Sequence, residues 1–447
     1  MRVVIVGAGP TGLTLGAALA RRGHEVVAVD RDPGPATGGS WRRQGVMQFE
    51  HAHGFRPQVR DLLLAEWPDA YDEWVALGAQ PIAFEVPGTD AAPVVVRSRR
   101  RTYERALRSA ASRVRGLTLR VGHVDRLVER GGRVVAAVVD GTALDADLIV
   151  DATGRNTRVT GSGTDELGGE CGMAYVNRSY RLHDGAALGP LTNPIAWGGT
   201  FDGYMTLVFP HEQRHFSVVI VRPTADTVLQ QLRHREAFEA ACRAIPGLAA
   251  WTDPGRAAPD GDVLIGGRLR NVYRRQRRSP GLVSVGDSVA TTTPTAGRGI
   301  ALCSMQNRAL LEMLDDGADP LTIAEPFDDW CDAQIRPWVE DHMSTDSEAV
   351  LRWQGADIDL TRPLTSIAIL DAAPRDPRIF AHIGGFAAMT ALPSTLAPAE
   401  PLARAVYESG WRAPYTEGPT RDELVTVIES TTIRDRQRRG PRAAQVA

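Results

Sequence analysis

Residues 2–30 read RVVIVGAGPTGLTLGAALARRGHEVVAVD. The run 2–6 is short, apolar and β-branched, which predicts a buried parallel strand. Gly7, Gly9 and Gly12 follow in G-x-G-x-x-G spacing, and 13–22 predicts a helix with Leu13, Ala17 and Ala20 on one face. Gly23-His24 breaks that helix, and 25–29 predicts a second strand ending in Asp30. This is a dinucleotide fingerprint inside a βαβ unit. Gly7 allows the tight turn, Gly9 lets the backbone approach a pyrophosphate, and Gly12 lets the helix pack on the strand. The free N–H groups and dipole of the helix start suit phosphate, and Asp30 suits a ribose diol.

The chain has 447 residues, with 43% hydrophobic and 23% charged, the balance of a globular protein. A net charge of -3 excludes a globally basic nucleic-acid binder. No apolar run is long enough to span a membrane. All basic side chains other than His are Arg: the sequence contains no Lys, so lysine Schiff-base, P-loop and lysine general-acid chemistry are closed to it. Cys171, Cys242, Cys303 and Cys331 match no metal or C-x-x-C spacing. With no signal-peptide pattern at the start, the expectation is a cytoplasmic protein with reduced thiols.

Further along, 32–39 reads as a loop, 56–79 as a helix, 81–97 as strands and 99–115 as a basic helix. Strands are predicted over 117–128 and 133–139, joined at Gly131-Gly132, and over 147–151. Residues 173–222 are strand-rich, 227–248 predicts a helix, and 281–285 a strand that runs into Gly286-Asp287. A helix is expected over 300–315, mostly helical chain beyond 320, and a frayed basic tail at the end.

Three separated pieces, GAGPTG at 7–12, DATGR at 151–155 and GDSVATTTPTAGRG at 286–299, together resemble the FAD-dependent monooxygenases. That group includes the p-hydroxybenzoate hydroxylase, squalene epoxidase and geranylgeranyl reductase types. The resemblance covers roughly the first 320 residues and implies an α/β fold. A three-layer Rossmann-like FAD domain is expected from 1–80, 98–165 and 280–320. An inserted antiparallel-sheet substrate domain is expected from 81–97 and 166–279, and a helical C-terminal region from 321–447. In the family the Asp of the strand–Gly–Asp motif holds the flavin ribityl chain, and Asp287 matches it. Pro294, Gly297 and Gly299 match the segment leading into a helix that faces the flavin. Arg43, before Gly45-Val46, and Arg100, with Tyr103 and Glu104, match the family's flavin-side arginines. Val124, Asp151 and Gly154 complete the expected cofactor contacts.

The sequence departs from the family where Ser288-Val289-Ala290 follows Gly286-Asp287 and where Asp151-Ala152-Thr153-Gly154 replaces an Asp-Gly pair. In the family that second segment also serves the nicotinamide cofactor. The expected electron source is therefore NAD(P)H, used directly or through a separate flavin reductase. The stretch RRQGVMQFEHAH at 42–53 is similar to bacterial polyether-type epoxidases, which points to natural-product tailoring of a polyketide or terpenoid. The resemblance implies insertion of one oxygen atom through a flavin C4a-hydroperoxide, by epoxidation or hydroxylation. That chemistry needs no protein nucleophile, and no catalytic acid or base is assigned. An alkene reductase and a flavin-binding cyclase without net redox turnover remain the alternatives. A tryptophan-type halogenase is excluded by the missing lysine. His51 and His53, two residues apart with no third ligand in the pattern, predict no metal site. The substrate walls are expected from Tyr175, Trp197, Phe201, Tyr204, Met205 and Phe209, of which alternation makes about half core.

Overall fold

The computed structural model describes residues 1–35, 41–43, 45–85, 92–159 and 166–439, with side chains through 431. The far end of the 32–39 loop, Gln44 and the tail beyond 439 lie outside the described residues. Five strands make a parallel sheet in the order β18 (Leu282–Ser284), β9 (Leu148–Asp151), β1 (Arg2–Val6), β2 (Glu25–Asp30), β5 (Leu117–Val121). Its central strands are buried on both faces, as their unbroken Val and Ile content requires.

One face is covered by helices α1 (Pro10–Arg21), α4 (Arg100–Ala111) and α7 (Gly299–Asp315), whose Leu13, Leu107 and Leu302 join Val3 and Ile5 in one core. The other face is covered by an antiparallel meander of β6 (Val124–Arg130), β7 (Arg133–Val139) and β8 (Thr142–Asp145). Val134, Ala137 and Val139 pack there on Val4, Val29 and Ile149. These are the three layers.

The second large sheet runs β12 (Trp197–Phe201), β13 (Tyr204–Pro210), β14 (His215–Pro223), β11 (Met173–Leu182), β15 (Ala257–Pro259), with β16 (Leu264–Gly266) also paired to β11. Its outer face carries α5 (Arg235–Ala244), α6 (Pro246–Thr252) and α13 (Arg421–Arg439). Leu424 and Ile428 of α13 thus complete a core otherwise built from 176–257. A hairpin of β3 (Gln80–Ala83) and β4 (Val94–Arg97) packs Val96 into the first core beside Phe55. A small sheet pairs β10 (Glu166–Glu170) with β17 (Arg270–Arg274), and β17 with β19 (Ala290–Thr291). The remaining helices are α8 (Ala324–Gln334), α9 (Arg336–Trp353), α10 (Ser366–Ala372), α11 (Phe380–Ala388) and α12 (Glu400–Glu408).

Two expected helices are each broken. The 56–79 stretch forms α2 (Pro57–Glu66) and α3 (Pro68–Ala76), because Pro68 forces Trp67 out of helical conformation, at φ -152 and ψ 65. The 227–248 stretch becomes a single-turn 3-10 segment, then α5, then α6 starting at Pro246, for the same reason at Ile245. The basic end is helical through Arg439.

Candidate functional site

The glycine turn is built as its spacing requires. Gly7 has φ +106, and a Cβ there would lie 2.4 Å from the Ala152 carbonyl oxygen. A Cβ on Gly12 would lie 2.0 Å from the Gly7 carbonyl oxygen, so the first turn of α1 rests directly on the loop. A Cβ on Gly9 would meet only the Arg43 guanidinium, at 3.8 Å. Gly9 is the N-cap of α1 and makes no side-chain cap bond, which leaves the helix-start donors for a ligand.

Asp30, at the end of β2, accepts from the Ala8 backbone N–H at 2.9 Å and pairs with Arg43 at 2.7 Å. Arg43 also pairs with Glu104, and Arg100 pairs with Glu104 at 2.6 Å. Burial raises the Glu104 carboxyl, but Arg100 and Arg43 outweigh it and hold Glu104 below the ordinary range. The basic helix α4 is therefore no solvated face: Arg99 pairs with Glu212, Arg101 with Glu50, and Arg108 approaches Asp30 at 3.7 Å. Glu104 as hub and Arg108 as a second cation on Asp30 were missed from the sequence. Their common signal is i, i+4 spacing on one face of α4.

Asp287 sits in the one-turn segment 286–288 at the end of β18. Gly286 has φ +72, and a Cβ there would strike the Thr11 side chain at 2.9 Å. The Cys303 thiol donates to Asp287 at 3.6 Å. Burial dominates there and lifts the Asp287 carboxyl above its ordinary range, against Arg100. The loop 294–299 then leads into α7, whose N-terminus also lacks a side-chain cap. That loop is tied down from outside the motif. Arg56 donates to the Ala296 carbonyl at 2.7 Å and to the Ala387 carbonyl at 2.9 Å. Arg298 pairs with Asp341 at 2.5 Å and lies 4.8 Å from the ring centroids of both Trp338 and Phe386.

Gly7, Gly9, Asp30, Arg43, Arg100, Val124, Gly154, Asp287, Pro294, Gly297 and Gly299 all line one cavity of about 1420 Å³. Gly12 and Asp151 do not line it. Gly12 supports the turn. Asp151 is fully buried and accepts from Thr153 at 2.6 Å, Thr157 at 2.5 Å and Ser288 at 3.3 Å, so it pins the 153–157 and 286–288 loops together. Among the described residues no group of three or more His, Cys, Asp or Glu side chains could hold a metal ion.

The same cavity extends along the inner face of the second large sheet, over Tyr175, Leu207, Phe209, Val219, Val221 and Leu269. Strand parity sorts the expected aromatic residues. Tyr175 and Phe209 face this chamber, and Met205 packs beside it. Trp197, Phe201 and Tyr204 point the other way, into the core under α5, α6 and α13. Alternation predicts two faces, and only the cover on each decides which is core. His51 stacks its edge on Tyr175 at 5.2 Å, and His53 lines the cavity. Burial, with the Arg100 charge, lowers their pKa values to about 4 and about 3, so both rings are neutral near pH 7. Gly54 links the halves: its carbonyl lies 3.9 Å from the Cβ position of Gly297, and its own Cβ position lies 3.5 Å from Phe209.

Residues 2–92 match the family model described as FAD dependent oxidoreductase. D-amino acid dehydrogenases of Sinorhizobium medicae and Ralstonia nicotianae are 45% identical over 49 residues and 39% identical over 51 residues. Those matches cover 11% of this chain, which spans only 12% of the length of either relative. Among solved structures, a flavin-dependent brominase superposes with TM-score 0.66 at 14% identity, over 92% of this chain and 99% of that one. The anhydrotetracycline hydroxylase OxyS of Streptomyces rimosus gives 0.57 at 18%, over 87% and 76%. A Diels-Alderase of pyrroindomycin biosynthesis gives 0.58 at 16%, over 88% and 82%. These likenesses are of fold.

Proposed function

We propose, from the match of residues 2–92 to the FAD dependent oxidoreductase model, that the chain is a monooxygenase that inserts one oxygen atom into a lipophilic natural-product intermediate. The observation that carries this reading is the continuity of the glycine-lined cradle with an apolar chamber. The cavity's 1420 Å³ exceeds the roughly 300–1,000 Å³ usual for one ligand. It has room for a dinucleotide and a substrate together.

The cradle fits FAD on its own donors. Two helix starts without side-chain caps, α1 and α7, open into it. Bound there, FAD supplies two-electron redox chemistry and reaction with dioxygen. The α1 start and the Gly7–Gly9 backbone would hold the pyrophosphate, Asp30 the adenosine ribose, and Asp287 the ribityl chain. Arg43 and Arg100, fixed on Glu104, keep positive charge beside them. The uncapped start of α7 would set a positive dipole end toward negative charge on the cofactor. Leu207, Phe209, Val219, Val221 and Leu269 exclude water from the substrate.

The apolar walls and neutral His51 and His53 favour a largely lipophilic polyketide or terpenoid. Epoxidation and hydroxylation both suit such a chamber. Electrons come from NAD(P)H, either at a transient site or through a separate flavin reductase. Halogenation through a lysine is closed to this sequence. A second reading, a flavin-binding cyclase without net redox turnover, draws support from the Diels-Alderase fold likeness.

The test is turnover of neutral polyketide and terpenoid alkenes with NADPH, with and without an added flavin reductase, under labelled dioxygen. Product one labelled oxygen heavier is expected. Product of unchanged mass and altered ring pattern favours the cyclase, and product gaining two hydrogens favours an alkene reductase. Either overturns the monooxygenase.

No described helix is long and apolar enough to cross a membrane.

A further inference from the structure

Helix α9 belongs to the C-terminal region that none of the three sequence motifs reaches, yet it carries a buried pair of titratable side chains to the cavity wall. His342 and Asp346 lie one turn apart on it, 2% and 3% exposed. The Asp346 carboxylate accepts from the Thr293 hydroxyl at 2.8 Å and from the Asn271 amide at 2.7 Å. Thr293 Oγ1 lies 3.2 Å from His342 Nδ1 and 3.0 Å from Thr295 Oγ1. Both threonines line the cavity, on either side of Pro294. His342 Nε2 is buried with no partner.

The bonding capacities fix how this cluster works. A hydroxyl donates one bond and accepts two. His342 is fully desolvated and faces Arg298 and Arg56, so its pKa lies well below the ordinary value and the ring is neutral. The less costly tautomer puts its one proton on Nδ1, donated to Thr293, and leaves only a lone pair unsatisfied on Nε2. With Asp346 ionised, Thr293 donates to it and accepts from His342 and Thr295, and the cavity meets an oxygen lone pair of Thr295. With Asp346 protonated, it donates to Thr293, Thr293 donates to Thr295, and the Thr295 proton turns into the cavity.

We propose that Asp346 and Thr295, with Thr293 between them and His342 fixing the hydroxyl directions, form a proton relay that exchanges one proton between the protein interior and a base bound in the cavity. In the forward step the Asp346 O–H bond breaks as a new Thr293 O–H bond forms, and the original Thr293 proton passes to Thr295. The original Thr295 proton passes to the base, and no electrons change owner. Reaction of reduced flavin with dioxygen consumes protons in the cavity, so a donor sealed from water has a use there. Besides His342, the groups facing Asp346 are Asn271 from β17, Arg298 ahead of α7 and Cys171 ahead of β11. Arg298 is already paired with Asp341. Burial outweighs the Asn271, Thr293, Thr295 and Arg298 contributions and lifts the Asp346 carboxyl above its ordinary range, which lets it hold a proton under milder conditions.

One arm of the test rests on the flavin reading and one does not. In the first, the FAD-loaded protein is photoreduced without oxygen, mixed with oxygenated buffer across a pH series in H₂O and D₂O, and followed by the return of oxidised absorbance. The relay requires a single ionisation in the wild-type profile and a solvent isotope effect. Asp346→Asn and Thr295→Val flatten the profile and slow the return about 100-fold, while Thr295→Ser keeps both features. FAD affinity is unchanged in all three. The second arm is the infrared difference spectrum of wild type minus Asp346→Asn, taken on the flavin-free protein. A protonated carboxyl band that titrates above the ordinary aspartate range, and that shifts in Thr295→Val, is expected. Superimposable pH profiles in fully loaded Thr295→Val and wild type, or an infrared difference with no titrating carboxyl band, overturn the relay and leave the cluster as a strut. A protein that takes up no FAD overturns the flavin reading instead, and the infrared arm still decides the relay.

Discussion

Gly12 sits so close to Gly7 that a Cβ on Gly12 would lie 2.0 Å from the Gly7 carbonyl oxygen and 3.1 Å from the Ile5 side chain. The Gly9 position faces only the ends of Arg43, 3.8 Å away. Two glycines of one motif therefore fail differently. Gly12→Ala should cost about 1–3 kcal/mol of stability by overpacking, seen as a lower urea midpoint of the flavin-free protein. Gly9→Val should keep that midpoint and lose FAD. A Gly9→Val protein that stays yellow would show that the loop is not the phosphate site.

Asp287 is half-buried in the cavity wall, and desolvation raises its carboxyl pKa. The folded state then holds a proton more tightly than the unfolded state, so stability falls as pH rises above the unfolded value and through the folded one. Asp287→Asn should thus melt higher than wild type without flavin at neutral pH, with the gap closing on acidification. The same variant, or Asp287→Ala, should bind FAD roughly ten- to a hundredfold more weakly, for a contact worth about 1.5–3 kcal/mol. Equal FAD affinity would remove Asp287 from the ribityl site.

Glu104 holds Arg43 and Arg100 in a buried network. Glu104→Gln leaves two guanidinium groups short of one negative charge and should cost about 3–5 kcal/mol. The Glu104 pKa is depressed, so its contribution is present above the ordinary glutamate value and is lost as pH falls through the folded one. Chemical unfolding of wild type and variant should converge at low pH. A constant difference across pH would mean that packing, not charge, is what the substitution removes.

Phe209 and Trp197 lie on paired strands but on opposite faces. Phe209→Ala should leave FAD binding intact and raise the KM of a lipophilic substrate. Trp197→Ala opens the core under α6 and should lower stability by about 3–5 kcal/mol, read from thermal unfolding. The reverse pattern would place the substrate on the outer face of the sheet.

Stopped-flow mixing with NADPH alone separates the two electron routes. Slow reduction that speeds up with an added flavin reductase is the expected result, given the altered segment Asp151-Ala152-Thr153-Gly154. Fast reduction by NADPH alone would dispense with the partner.

The local geometry of the glycine turn was legible in the sequence. Gly7, Gly9, Gly12 and Asp30 act within a few residues of backbone, where steric limits on φ and on close approach leave little choice. The strand ends at Asp151 and Gly286-Asp287 were legible for the same reason. The tertiary structure alone decided what faces what. Asp151 matches a binding motif, yet its oxygens are taken by Thr153, Thr157 and Ser288. Helix α13 lies far along the chain and covers the second sheet, which turns Trp197, Phe201 and Tyr204 into core. His342 and Asp346 meet at one hydroxyl only because α9 lies against Thr293. Alternation and helical spacing fix which residues share a face. Burial of that face, and hence its function, depends on contacts between residues distant in sequence, which no local pattern encodes.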